Sequence, residues 1–357
     1  MRTGDARQAF IGVCRDLRGV AQATNNKRAY SMLFEMLYPA CFPVFTRAAE
    51  AFFDDPDVIT SLLKFLQEFV NNKAQRVNFD NNSPNGILLF RETSSILVAY
   101  GSRILHHPIQ TANPYKERYK GIALTLLTMT VALTGNYVNF GVFALYEDKA
   151  LENALQVALQ LILSVGLEDV LSFPKLSRHY FSFLDVLFRN HLPFVAAKDT
   201  GTFMNLMNVL HEGLQALDPP MSTHCASAID YLASYLFINR DKDWQSLHML
   251  QAHVAQDPSL LPKLTQTLFT QLLFGPYSNH WSVTRPMLSL MMADESSFTS
   301  YRQHLISTQS PENQQKLNEA FTKLLADVAR NLEPTNRDRF AQHLATFRQS
   351  VRAFLTY

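Results

Sequence analysis

Apolar residues recur every three to four positions through most of the chain, with polar residues filling the places between. After Asp55-Pro56, the residues Ile59, Leu62, Leu63, Leu66, Phe69 and Val70 fall on one side of a helix, and Thr60, Lys64, Gln67 and Asn71 face elsewhere. Equivalent stripes run through Leu176, Tyr180, Leu184 and Leu187, through Phe203, Leu206, Leu210, Leu214 and Leu217, and through Met221, Cys225, Ile229, Leu232 and Leu236. The last stripe, Phe340, Leu344, Phe347, Val351 and Leu355, follows Thr335 and Asp338 at the spacing of a capping box. Long strand-like alternation is missing, and glycine is scarce at 12 of 357 residues. The pattern predicts helix throughout.

Helix starts are marked by one device. In the run Arg76 to Glu92, Asp80, Asn81, Asn82 and Ser83 hold a turn with their own side chains. Ser83 then offers its oxygen to the open amides of the next helix, and Pro84 takes the first helical position, where its missing N–H costs nothing. The same pairing of a capping residue with proline recurs at Asp55-Pro56, Asn113-Pro114, Asp218-Pro219, Asp257-Pro258 and Ser310-Pro311. Between these starts the helices are expected to be fifteen to twenty residues long, with short polar turns and no glycine-serine linker. Two helices and their turns take about forty residues, the unit length of HEAT and armadillo repeats. The expected fold is therefore an all-α HEAT/armadillo-type α-solenoid of stacked antiparallel helix pairs, as one continuous repeat domain over residues 1–357. Ile122 to Leu133 and Leu151 to Val165, apolar on more than one side, fit helices sandwiched between repeats.

Charge and chemistry narrow the function classes. Lys and Arg total 32 against 31 Asp and Glu, without the basic stripe that neutralises phosphates, so nucleic-acid binding is disfavoured. The greasiest segment, Ile122 to Leu133, is too short to span a bilayer, and the N-terminus has no h-region, so a soluble intracellular protein without membrane insertion is expected. Cys14, Cys41 and Cys225 lie far apart, which argues against a zinc ribbon or a disulfide framework. GxGxxG, GxxxxGK[ST], GxSxG and HExxH are all missing, so no enzyme activity, cofactor or metal is expected. His106-His107 reads as a C-terminal cap, Asp54-Asp55-Pro56-Asp57 as an N-terminal one, and His248 and His253 as surface residues. Phe10, Val13, Leu17 and Val20 would form an apolar end face on the first helix, with self-association as the consequence.

Beside this residue-level reading stands a resemblance. Phe79-Asp80 with Ser83 to Ser94, Asp16 to Gly19, Tyr137 to Phe143, Phe173 to Ser177, Trp281-Ser282 with Arg285-Pro286, and Asn336 to Phe340 occur in order along the chain. Together they resemble the C-terminal region of an exportin of the importin-β (karyopherin) superfamily of nuclear transport receptors. The resemblance implies a HEAT-repeat superhelix that carries protein cargo through nuclear pores, with binding and release governed by Ran-GTP, nucleoporins as further partners, and shuttling between nucleus and cytoplasm. It carries over no catalytic residue, and GTP would belong to Ran. The superfamily's principal Ran-binding repeats are N-terminal, so the main Ran site is expected outside this chain. A helical-repeat interaction scaffold without autonomous transport is the alternative. Polar residues in the family-like stretches, Arg91, Glu92, Asn136, Asn139, Arg337 and Arg339, are the candidate partner contacts.

Overall fold

A computed structural model describes residues 3–79, 83–108, 113–275 and 280–355, without the side chains of 280–283. Asp80, Asn81 and Asn82 of the expected turn lie outside them, as do the side chains of Trp281 and Ser282. Among the described residues every regular element is a helix. The chain divides into two compact units, residues 1–183 and 184–357.

The first unit contains α1 (Gly4–Ala23), α2 (Lys27–Leu37), α3 (Phe42–Ala51), α4 (Pro56–Val70), α5 (Asn85–Leu105), α6 (Lys120–Thr134), α7 (Gly141–Leu145), α8 (Ala150–Leu163), α9 (Leu167–Ser172) and the first part of α10 (Pro174–Asn190). α1 packs on α4 and α4 on α6, while α3 packs on α5 and α5 on α8, giving two layers. Cross-links fix the direction within the first layer. Arg7 near the start of α1 meets Asp55 at the start of α4 at 2.5 Å, and Lys73 past the end of α4 donates to the Gln22 carbonyl near the end of α1 at 2.8 Å. Asn72 donates to the Gly135 carbonyl just after α6 at 2.6 Å. The three helices thus run parallel. In the second layer Ser94 of α5 donates to the Ala150 carbonyl at the start of α8 at 2.7 Å, and further along Gly101 lies against Val157.

The expected starts hold at most positions. The Asp55 carboxylate accepts the Asp57 and Val58 amides at 3.1 and 3.2 Å. At Ser83-Pro84 the start falls one residue later than expected: Pro84 is the N-cap, α5 begins at Asn85, and Ser83 Oγ accepts the Asn85 amide at 3.2 Å as a turn before the helix. Asn113 accepts the Lys116 amide at 3.0 Å, Pro114 leads into a π-helical turn, Tyr115–Tyr119, and Pro219 and Pro311 open α13 and α18. Asp257 differs: it takes the Ser259 amide at 3.0 Å, and the helix begins only at Leu260. The α4 stripe is fully buried, and α6 and α8 bury residues around most of their surface. At the N-terminal end, Phe10 packs on the cluster of Ile11, Ala48, Phe52 and Val58, so only Val13 and Val20 of the expected apolar face are well exposed.

The second unit takes the remainder of α10, then α11 (Leu192–Ala196), α12 (Thr200–Leu214), α13 (Pro219–Ile238), α14 (Gln245–Gln256), α15 (Leu260–Phe274), α16 (His280–Ala293), α17 (Glu295–Ser307), α18 (Pro311–Leu325) and α19 (Pro334–Arg352). α13 packs against α12, α14 and α16, and α19 against α15, α16 and α18. Phe269, Phe298, Phe321 and Phe347 join α15, α17, α18 and α19 through ring contacts. Three expectations fail here. α19 starts at Pro334 behind Glu333, because proline suits the first helical position, and Thr335 therefore lies inside the helix rather than capping it. α12 stops at Leu214, which leaves Leu217 88% exposed. His253 is buried, not on the surface: its ring stacks on Phe203, Nδ1 meets Thr200 Oγ1 at 2.8 Å and Nε2 the Ala196 carbonyl at 2.9 Å.

One buried imidazole sets a pH dependence. Burial pushes His191, which precedes α11, down to about 4. Between pH 6.5 and 4 the unfolded chain binds a proton that the folded chain refuses, so stability is complete above pH 6.5 and declines as pH falls through this window. Denaturant titrations should show a contribution of about 3 kcal/mol lost across it, which His191→Gln removes.

Candidate functional site

The two longest family-like stretches meet in space. Their junction is built on Arg76, whose side chain is 0% exposed. Its guanidinium donates to the carbonyls of Ala21 and Thr24 at the end of α1, and of Glu68 and Asn71 at the end of α4; the Thr24 and Asn71 bonds measure 2.7 and 2.9 Å. These are the carbonyls a helix end leaves without partners, and they carry the negative end of the helix dipole. Fixed in this way, Asn72 accepts the Val77 amide at 2.7 Å while bonding Gly135, which ties the 71–79 turn to the turn after α6.

On the other side of the junction stands Gly86, in the first turn of α5. A Cβ there would lie 2.3 Å from the Tyr137 carbonyl oxygen, so only glycine admits this approach of helix to turn. Phe90, one turn on, contacts Phe140 and Phe143 edge-on at 5.0 and 5.3 Å. Asn136 holds a left-handed conformation, φ 55°, which asparagine tolerates better than most residues, and Asn139 accepts the Gly141 amide at 3.0 Å. The Tyr137 hydroxyl is buried without a hydrogen-bond partner among the described residues, and burial holds its pKa well above the usual phenol value.

Between these parts lies a cavity of about 670 Å³. Its polar lining is dominated by carboxamides: Asn71, Asn72, Gln75, Asn78, Asn136 and Asn139. Among the described residues the other polar groups lining it are the hydroxyls of Ser83, Thr134 and Tyr137, with no charged side chain, histidine or cysteine. A carboxamide presents donor and acceptor together, the complement of a peptide group. The cavity is suited to hold uncharged polar groups such as an extended peptide backbone.

The six sequence-derived contacts fall into three places. Asn136 and Asn139 line the amide cavity. Arg91 and Glu92 border a second recess, about 550 Å³, where Arg91 comes within 4.0 Å of Asp148, and Glu92 has its pKa raised, first by burial, with Arg91 opposing. Arg337 sits in the second unit, bonded to Asp230 at 3.0 Å, Ser234 at 2.9 Å and the Leu332 carbonyl at 3.2 Å beside a cavity of about 640 Å³. Arg339 is exposed and donates to the Asp327 carbonyl at 2.6 Å. Asn336, in the same stretch, has a role the sequence did not reveal: its buried amide bonds both Ala329 backbone groups and the Asn331 carbonyl, closing the loop before α19. His106 Nδ1 lies 2.8 Å from the Ser102 carbonyl, as expected of a cap.

Stacked helix pairs define a helical-repeat protein; among the described residues no potential metal cluster is present and no helix is long and apolar enough to cross a membrane. No family model matches the sequence. Exportin-7-B of Xenopus laevis is 40% identical over 360 residues, covering 97% of this chain and 33% of the relative. Ran-binding protein 17 of Homo sapiens is 37% identical, with 97% and 33% covered, and Exportin-7 of Dictyostelium discoideum 32% identical, with 98% and 35% covered. Over nearly all its length, then, this chain is a homologue of one region of the exportin-7 and Ran-binding proteins, and it spans about a third of those relatives' length.

Proposed function

We propose that the chain is an exportin-like segment of a nuclear transport receptor, binding protein cargo for Ran-GTP-dependent passage through the nuclear pore while shuttling between nucleus and cytoplasm. The observation that carries this reading is 40% identity maintained over 97% of the chain. The convergence of two family-like stretches on one amide-lined cavity supports it. Cargo backbone would engage Asn136 and Asn139, with Arg91 and Glu92 giving charged contacts. Arg337 and Arg339 would contribute from the second unit, and nucleoporins would be transient partners. The principal Ran contacts would lie on repeats outside this chain.

A tagged copy incubated with nuclear extract, with and without added Ran-GTP, tests the proposal. Expected is a set of retained transport cargo proteins whose capture falls in Asn136→Gly, which keeps the left-handed backbone while removing the amide, and in Arg91→Glu, with little response to Ran-GTP because the main Ran site would lie elsewhere. Retention of proteins that are not carried between nucleus and cytoplasm would favour the second reading, a helical-repeat scaffold without autonomous transport. That reading draws on the chain spanning only 33% of its first relative.

A further inference from the structure

We propose that the outer face of the α1, α4 and α6 layer, together with the start of α10 beside it in the first unit, is a docking surface for an acidic polypeptide segment, read by Arg15, Arg18, Lys64, Lys120, Lys175 and Arg178. The placement rests on the parallel register already described. Arg7 with Asp55 at one end and Lys73 with Gln22 at the other align α1 with α4, which sets Arg15 and Arg18 level with Lys64. Lys120 opens α6. Tyr115 and Tyr119, just before α6, hold Phe173 at 5.3 and 5.6 Å, which brings the start of α10, with Lys175 and Arg178, to the same end of the layer.

Several other cations of the unit have acidic partners. Arg7 pairs with Asp55 and Asp57, Lys73 and Arg76 with Glu68, Arg103 with Glu50, and Lys149 with Glu152. None of the six makes a hydrogen bond or ion pair among the described residues, and neither does Asp16, the exposed acid between Arg15 and Leu17. Burial, then the positive charges of Lys120, Arg18, Lys175 and Arg15, hold Lys64 below its ordinary pKa, and His179 is depressed by burial, Arg178 and Lys175. A face that repels its own charge gains most from a partner that neutralises it.

The neighbouring half-exposed positions select the partner. On the helices between the cations they are Thr60 and Gln67 on α4 and Leu124 and Leu127 on α6, hydroxyl, amide and aliphatic groups, while the aromatic rings at the end of the layer, Tyr115 and Phe173, are stacked on each other. An acidic polypeptide supplies carboxylates for the cations and apolar or amide contacts for the remainder. The inference draws on this unit alone and is independent of transport.

Fluorescence anisotropy of the full chain with a labelled oligoglutamate peptide tests it. Binding that weakens with salt is expected. It should fall by about tenfold or more in Arg15→Glu/Arg18→Glu and in Lys175→Glu/Arg178→Glu, and stay unchanged in Arg47→Glu on α3. The replaced side chains are exposed, so thermal melts should match the parent and separate lost binding from lost fold. No binding at low salt, equal loss in Arg47→Glu, or tighter binding of an oligothymidylate of matched charge or of anionic phospholipid vesicles would overturn the proposal.

Discussion

Arg76→Ala should destabilise the first unit by about 3–5 kcal/mol, because it strips a buried, multiply bonded cation from the carbonyls at two helix ends. Four backbone oxygens, those of Ala21, Thr24, Glu68 and Asn71, lose their donor, and Glu68 loses one of its two cationic partners. The guanidinium also lies 5.7 Å from the Tyr30 ring centre, so Tyr30 loses a neighbour on its polar side. Arg76→Lys should recover part of the loss at most. An ammonium offers three donors from one point and cannot match a fork that serves the ends of α1 and α4 together. Denaturant unfolding followed by hydrogen exchange resolved along the chain checks both variants. Loss of protection should centre on α1 and α4, while α12 to α19 keep theirs. A melt unchanged in Arg76→Ala would show that these carbonyls are equally well served by water.

Gly86→Ala, a single added methyl, should lower stability by about 2 kcal/mol, and Gly86→Val by more, through overpacking. The neighbour is backbone, the Tyr137 carbonyl at 2.3 Å from the new Cβ, so no side chain can rotate away. The turn from Gly135 to Phe140 must move instead, which pulls on the Asn72 bond to Gly135 and on the Phe90 to Phe140 ring contact. The amide cavity would then change shape before the unit unfolds. The expected signature is a loss of partner capture at temperatures where the fold is intact. Gly4→Ala, at an exposed site whose new Cβ meets nothing within 4 Å, is the control and should be neutral or slightly stabilising.

Most of the fold was legible because helices announce themselves locally. The α4 stripe and the Asp55-Pro56 start involve residues a few places apart, and both are found where the periodicity put them. The pairing of helices into repeats followed from their lengths. Misreadings came where one local signal competed with another. Pro334 outweighed Thr335 as a helix start, and the apolar stripe of α12 ran past the turn that ends it, stranding Leu217. Short helices such as α7 and α11 are set by packing and left no periodic trace.

The candidate site was legible only in part. Asn136 and Asn139 stood out as amides between two apolar helices, yet nothing local tied them to Asn71 and Asn72, which are distant in sequence. Arg76 was read as one letter of a family-like run, since its partners are backbone carbonyls and carbonyls leave no signature. Gly86 held the clearest unused signal: a glycine in the first turn of a helix is unfavourable for propensity, so something must approach it. His253 misled for the same reason as Arg76, one of its partners being the Ala196 carbonyl.

Arg76 also bears on modularity. A repeat array is often imagined as beads that can be removed from either end with a proportionate loss. Here a residue following α4 reaches back to close the end of α1, so removing α1 would leave half of a charged fork without partners and facing the vacated space, though its bonds to the end of α4 remain. Dissection into shorter pieces should therefore be all-or-none at this point. The smallest autonomous piece that includes α4 must also include the residues from Thr3 to Thr24.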